Sequence, residues 1–108
     1  MNNIKQHIKI VQTYVRQHNV SPSIKQICEI CNVTDSRAQA IMRRYLIYRY
    51  INKYNESHGY PPTRREISEI LHISLSVTQY HVQQLVQAGL ITDSAGRSRA
   101  TMHLKKGA

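Results

Sequence analysis

Apolar residues recur along this chain at helical rather than strand spacing. Ile4, Ile8, Val11 and Val15 stand four, three and four apart, which predicts a helix over residues 4–18. Asn19-Val20-Ser21-Pro22 breaks that stripe. Ser23 with Gln26 then forms a capping-box pattern opening a short helix with Ile24, Ile27, Cys28, Ile30 and Cys31 on its apolar side. Asn32 suits a left-handed stop, and Thr34 suits the cap of a third helix from about Asp35. No Gly or Pro follows until Gly59, so Asp35 to Ser57 reads as one long helix or two abutting ones. A continuous version would span roughly 33 Å. Gly59-Tyr60-Pro61-Pro62 is the next breaker. Thr63 and Glu66 repeat the capping box, with Ile67, Ile70 and Leu71 as the expected buried side. His72-Ile73 makes a turn, and Ser74 caps a further helix whose inner stripe is Thr78, Val82, Leu85 and Val86. After Gly89 the pattern changes period. Leu90-Ile91-Thr92 reads as a strand, Asp93 to Gly96 as a turn, and Arg99 to Leu104 as a second strand.

Displacing the chain against itself by 40 residues exposes a repeat. Tyr14 meets Tyr54, His18 meets His58 and Pro22 meets Pro62. Ile27, Glu29 and Ile30 meet Ile67, Glu69 and Ile70, while Ser36 meets Ser76 and Gln39 meets Gln79. Caps, breakers and core positions register together, so one three-helix unit occurs twice. Only the second copy is followed by a Gly and a hairpin pattern. The fold class expected is therefore mainly α with a small C-terminal β-hairpin, arranged as a tandem helix-turn-helix whose second copy is a winged helix. The expected division is 1–46 for the wingless unit, 47–104 for the winged unit and 105–108 for a tail.

Composition narrows the partner. Fifteen Lys and Arg stand against six Asp and Glu, a formal charge of +9, which favours a polyanion. No apolar run approaches the roughly 20 residues that span a bilayer, and the N-terminus lacks a signal-peptide block. No membrane association is expected, and the chain is placed in the cytoplasm, with the nucleoid if it holds DNA. Cys28-x-x-Cys31 resembles half a metal site, but no second Cys pair exists. Free Cys at aligned core positions reads better as small buried residues. The six His are scattered singly, and no nucleophile–base pair can be assembled. Neither an enzyme nor a cofactor is expected.

From Ile47 onward the sequence resembles the winged-helix DNA-binding domain of LexA-type SOS repressors. The resemblance rests on Gly59-Tyr60-Pro61-Pro62-Thr63, Arg65-Glu66-Ile67, Leu85, Gly89-Leu90-Ile91 and Gly96-Arg97-Ser98-Arg99-Ala100. The turn before the third helix looks one residue shorter than in that family. The first 46 residues match it only through the internal repeat. Repressors of this type continue into a self-cleaving, dimerising domain. With Ala108 as its last residue, this chain is expected to have neither property from that source.

The repeat and the resemblance together imply a DNA-binding transcriptional regulator, a repressor of bacterial or phage type. Its reading helices would lie near 35–45 and 75–88. In a helix-turn-helix the second helix presents side chains to base edges. Those expected to face outward are Ser76, Val77, Gln79, Tyr80 and Gln83 in the second unit, and Ser36, Arg37, Gln39 and Arg43 in the first. Gln suits adenine, Val a thymine methyl group and Arg guanine. No Lys or Arg occurs between Arg65 and Arg97. Holding would therefore fall to Thr63, Arg64, Arg65 and Ser74, to Arg97 and Arg99 on the wing, and to Thr34 and Arg44 in the first unit. The partner expected is double-stranded DNA, bound by a monomer acting as a pseudo-dimer or by a homodimer. An alternative remains open: a protein-binding adaptor or inhibitor on the same scaffold, aimed at a host repressor, polymerase or replication protein.

Overall fold

A computed structural model describes residues 3–93 and 100–101. They form five helices: α1 (Ile4–His18), α2 (Ile24–Cys31), α3 (Asp35–His58), α4 (Arg64–Leu71) and α5 (Leu75–Gln87). The chain divides into two compact units, Met1–Tyr45 and Leu46–Ala108, with the boundary inside α3. Asp35 to His58 is one unbroken helix of 24 residues. No helix among the described residues is long and apolar enough to cross a membrane.

In the first unit α1 buries Ile4, Ile8 and Val11, and α2 buries Ile27. Ala38, Ile41 and Tyr45, from the start of α3, complete that core. Asn19 stops α1 in a left-handed conformation, its N–H returning to the Val15 carbonyl. His18 folds back over the same helix end. Its Nδ1 donates to the Tyr14 carbonyl at 3.0 Å, and its ring stacks on Tyr14 with centroids 4.1 Å apart. The bond and the stack together pin this side chain against the last turn of α1.

The second unit repeats these devices at the displacement read from sequence. Gly59 takes the left-handed position of Asn19, with φ +82°. His58 Nδ1 donates to the Tyr54 carbonyl at 3.0 Å, and the two rings stack at 3.9 Å. Its core is Ile47, Tyr48, Ile51, Ile67, Val82, Leu85, Leu90 and Ile91, with Thr78 and His81 buried among the apolar residues. Thr78 is satisfied there by donating its hydroxyl hydrogen to the Ser74 carbonyl at 2.9 Å.

Three expectations are corrected. The first is the C-terminal β-hairpin and with it the winged helix. The architecture is helical, and among the described residues beyond α5 extended pairing is limited to Thr92–Asp93 (β1) and Ala100–Thr101 (β2). These two-residue segments run antiparallel, Thr92 opposite Thr101 and Asp93 opposite Ala100. The anticipated strand at Leu90 fails because Leu90 lies in the turn that closes the end of α5. Gly89 is left-handed, the Leu90 N–H bonds the Leu85 carbonyl at 3.0 Å, and Leu90 and Ile91 turn into the core. Residues 94–99, where the turn and part of the wing were expected, lie outside the described residues, as do 102–108. The second correction concerns Ile70, expected on the buried side of α4 but 55% exposed. An eight-residue helix offers barely two turns to the core, and Ile67 occupies the central position. The third concerns Cys28 and Cys31, which are half-buried rather than core residues.

The cores predict a contrast within one helix. Ile67→Ala should lower unfolding stability by about 2–5 kcal/mol, whereas Ile70→Ala, three residues on, should change it by no more than about 0.5 kcal/mol. Urea unfolding followed by circular dichroism measures both.

Candidate nucleic-acid interface

The candidate interface is built on two short helices joined by a three-residue turn. In the second unit Thr63 and Glu66 close a capping box at the start of α4. The Thr63 hydroxyl accepts from the Glu66 N–H at 3.0 Å, and the Glu66 carboxylate accepts from the Thr63 N–H at 2.7 Å. At the far end His72 adopts φ +58°, and its N–H and that of Ile73 both reach the Ser68 carbonyl. Ser74 then caps α5, its hydroxyl accepting from the Val77 N–H at 3.1 Å. A left-handed residue and a hydroxyl cap two positions later thus set the direction in which α5 leaves α4.

On α5 the inward face is Thr78, His81, Val82 and Leu85. Ser76, Gln79, Tyr80 and Gln83 are exposed together on the other side, and Val77 is half-buried beside the turn. Tyr80 is 55% exposed, its ring edge-on to that of His81 at 5.2 Å. This face has hydrogen-bonding and apolar groups but no formal charge. The Thr63 and Ser74 hydroxyls sit at the helix starts, each engaged as a cap. Arg65 is exposed on α4 and Arg64 half-buried. Arg97 and Arg99 lie outside the described residues.

The first unit presents the corresponding surface with different chemistry. Ser23 and Gln26 form the capping box of α2, at 3.1 and 2.8 Å. Asn32 is left-handed with φ +57°, and Thr34 accepts from the Arg37 N–H at 3.4 Å. Ser36, Arg37, Gln39 and Arg43 are exposed, Arg44 half-buried, and Ala38 and Ile41 inward. His7, on α1, senses this charge. Burial first, then the cations of Arg37 and Arg44, hold its imidazole below the usual value of 6.5.

Sequence reasoning missed three side chains. His81 reads as polar in the helical stripe but is 4% exposed. The available signal was its alignment with Ile41, itself buried. Ser68 is also buried, its hydroxyl hydrogen donated to the Arg65 carbonyl at 2.8 Å. His7 gave no signal, because its charged neighbours lie on another helix. Cys28 donates from Sγ to the Asp35 carboxylate at 3.1 Å, an interaction that pushes the thiol pKa up. Among the described residues no group of three His, Cys, Asp or Glu is placed to hold a metal ion.

Comparison with known proteins takes in α4 and α5 of the second unit. The LexA DNA binding domain family matches residues 40–100, more than half of the chain. The LexA repressor of Geotalea uraniireducens (strain Rf4) is 41% identical over 58 residues, covering 53% of this chain and 29% of that protein. The LexA repressor of Limosilactobacillus reuteri (strain DSM 20016) is 33% identical over 66 residues, 60% of this chain and 32% of the relative. That of Roseiflexus sp. (strain RS-1) is 38% identical over 71 residues, 65% and 32% respectively. The chain spans about a third of the length of these repressors. No solved structure matches it.

The setting of His7 predicts a pH dependence. A lowered folded-state value means that the unfolded chain binds more protons between that value and about 6.5, so stability rises with pH across this interval. Acidification below about 6.5 should destabilise the chain, and His7→Gln should flatten that part of the profile. Thermal unfolding at a series of pH values measures the difference.

Proposed function

The chain belongs to the LexA DNA binding domain family, and from that premise we propose that it is a sequence-specific repressor of transcription, of bacterial or phage type, acting on double-stranded DNA. The observation that carries the proposal is the α4–turn–α5 arrangement inside the matched stretch, with Ser76, Gln79, Tyr80 and Gln83 exposed on one face of α5. In this reading α5 enters the major groove. Gln79 and Gln83 offer paired hydrogen bonds to adenine, and Val77 at the turn offers an apolar contact to thymine. The phosphates are held by Arg64 and Arg65, by Arg44 in the first unit, and by Arg97 and Arg99 later in the chain. Thr63, Ser74 and Thr34 stand at helix starts, where backbone N–H groups favour anions. Bound across a promoter, as a pseudo-dimeric monomer or a homodimer in the cytoplasm, such a protein acts by occlusion and needs no catalytic group.

A second reading is favoured by one observation. The α5 face is uncharged and displays Tyr80, which suits an adaptor or inhibitor that binds a protein. Salt separates the two. Duplex binding held by phosphate contacts should weaken steeply between about 50 and 200 mM salt, whereas a protein interface of neutral groups should change little.

On a duplex selected from random sequences, Gln79→Ala should reduce affinity by roughly tenfold, the scale of one good base contact. Arg65→Ala should weaken binding to all sequences alike and lower the salt slope by about one. Fluorescence anisotropy at several salt concentrations reads both. Failure to select any sequence, with Gln79→Ala without effect, would sink the proposal.

A further inference from the structure

The two helix-turn-helix segments correspond residue for residue. α2 (Ile24–Cys31) and α4 (Arg64–Leu71) are the same length, and α3 begins at Asp35 as α5 begins at Leu75. Asn32 and His72 take the same left-handed conformation, and Ser23 and Thr63 close the same capping box. Inward positions agree as well: Ile27 with Ile67, Ala38 with Thr78, Ile41 with His81, Tyr45 with Leu85, all buried. The pattern of burial is kept between the copies even where the buried residues differ, which is the arrangement of one scaffold carrying two surfaces.

The exposed positions change in a directed way. Ser36 and Gln39 keep the chemistry of Ser76 and Gln79. Arg37 stands where the second unit has Val77, and Arg43 where it has Gln83. Both Arg are exposed on the face that α5 uses neutrally. A guanidinium offers a fork of donors that matches the two acceptors of guanine in the major groove, which neither Val nor Gln supplies. Arg37 and Arg44 both act on His7, so two guanidiniums of α3 concentrate positive charge beside one point of the first unit.

We propose that the first unit is a second duplex-reading head with its own base preference, pairing Arg37 and Arg43 with guanine. The chain then recognises a composite site of two unlike blocks, one containing guanine and one rich in A·T. A site of two identical inverted halves is what a symmetric dimer of single heads would require. This inference rests on the reading of the second unit as a DNA-binding element.

Selection of bound duplexes from a random pool, with the full chain and with two variants, tests it. The wild type should enrich two unlike blocks. The double substitution Arg37→Ala, Arg43→Ala should abolish the guanine preference and lower affinity for the composite site by roughly tenfold or more, leaving the other block intact. Gln79→Ala should have the converse effect. Both substituted Arg are exposed, so circular dichroism should show an unchanged helical fold. Three results overturn the inference while leaving the proposed function standing. They are a single block sensitive to Gln79 alone, an inverted repeat indifferent to Arg37 and Arg43, and a double variant that weakens all sequences equally with a smaller salt slope. The last would reduce both Arg to phosphate grips. Absence of any enriched sequence overturns both.

Discussion

The structure depends on a three-residue turn. In it, one residue with positive φ ends a helix and a hydroxyl two positions later opens the next. Asn32 with Thr34 does this in the first unit and His72 with Ser74 in the second. The direction of the second helix of each pair follows from that constraint. It decides which side of α5, carrying Val82 and Leu85, is buried with Ile67 of α4 and which side stays exposed. The non-glycine residues at the left-handed positions cost of order 1 kcal/mol each. The offset comes from carbonyls satisfied at the helix end and from the burial of Ile27 and Ile67 in the helices that the turns end.

Much of this geometry is legible in the sequence. Capping boxes have a fixed chemistry and a fixed spacing, so Ser23 with Gln26 and Thr63 with Glu66 marked two helix starts without ambiguity. Breakers such as Gly59-Tyr60-Pro61-Pro62 marked a stop. Once the 40-residue repeat was recognised, each copy served as a check on the other. The outward residues of α5 followed from which residues had to face in.

What escaped the sequence had physical causes. Periodicity assigns a residue to a face but says nothing about how far the partner surface extends, so Ile70 was placed inside when α4 is too short to cover it. Polarity left His81 out of the inner stripe, although it is buried at the position that Ile41 fills in the first unit. Alternation after Gly89 looked like a strand, but Leu90 is drawn into the helix end by its bond to Leu85. The charge environment of His7 is set by Arg37 and Arg44 on another helix, a relation that linear spacing cannot express.

The paired rings at the ends of α1 and α3 make each unit optically addressable. The chain has seven Tyr and no Trp, so its near-ultraviolet signal is carried by phenols alone. Tyr14 lies flat on His18 in one unit and Tyr54 on His58 in the other, each beside an imidazole held by a backbone carbonyl. A phenol in a fixed stack gives an asymmetric absorption that vanishes when the helix end frays. Replacing one Tyr at a time by Phe would assign that signal to its own half of the molecule. The melting of either half then becomes visible without an added label.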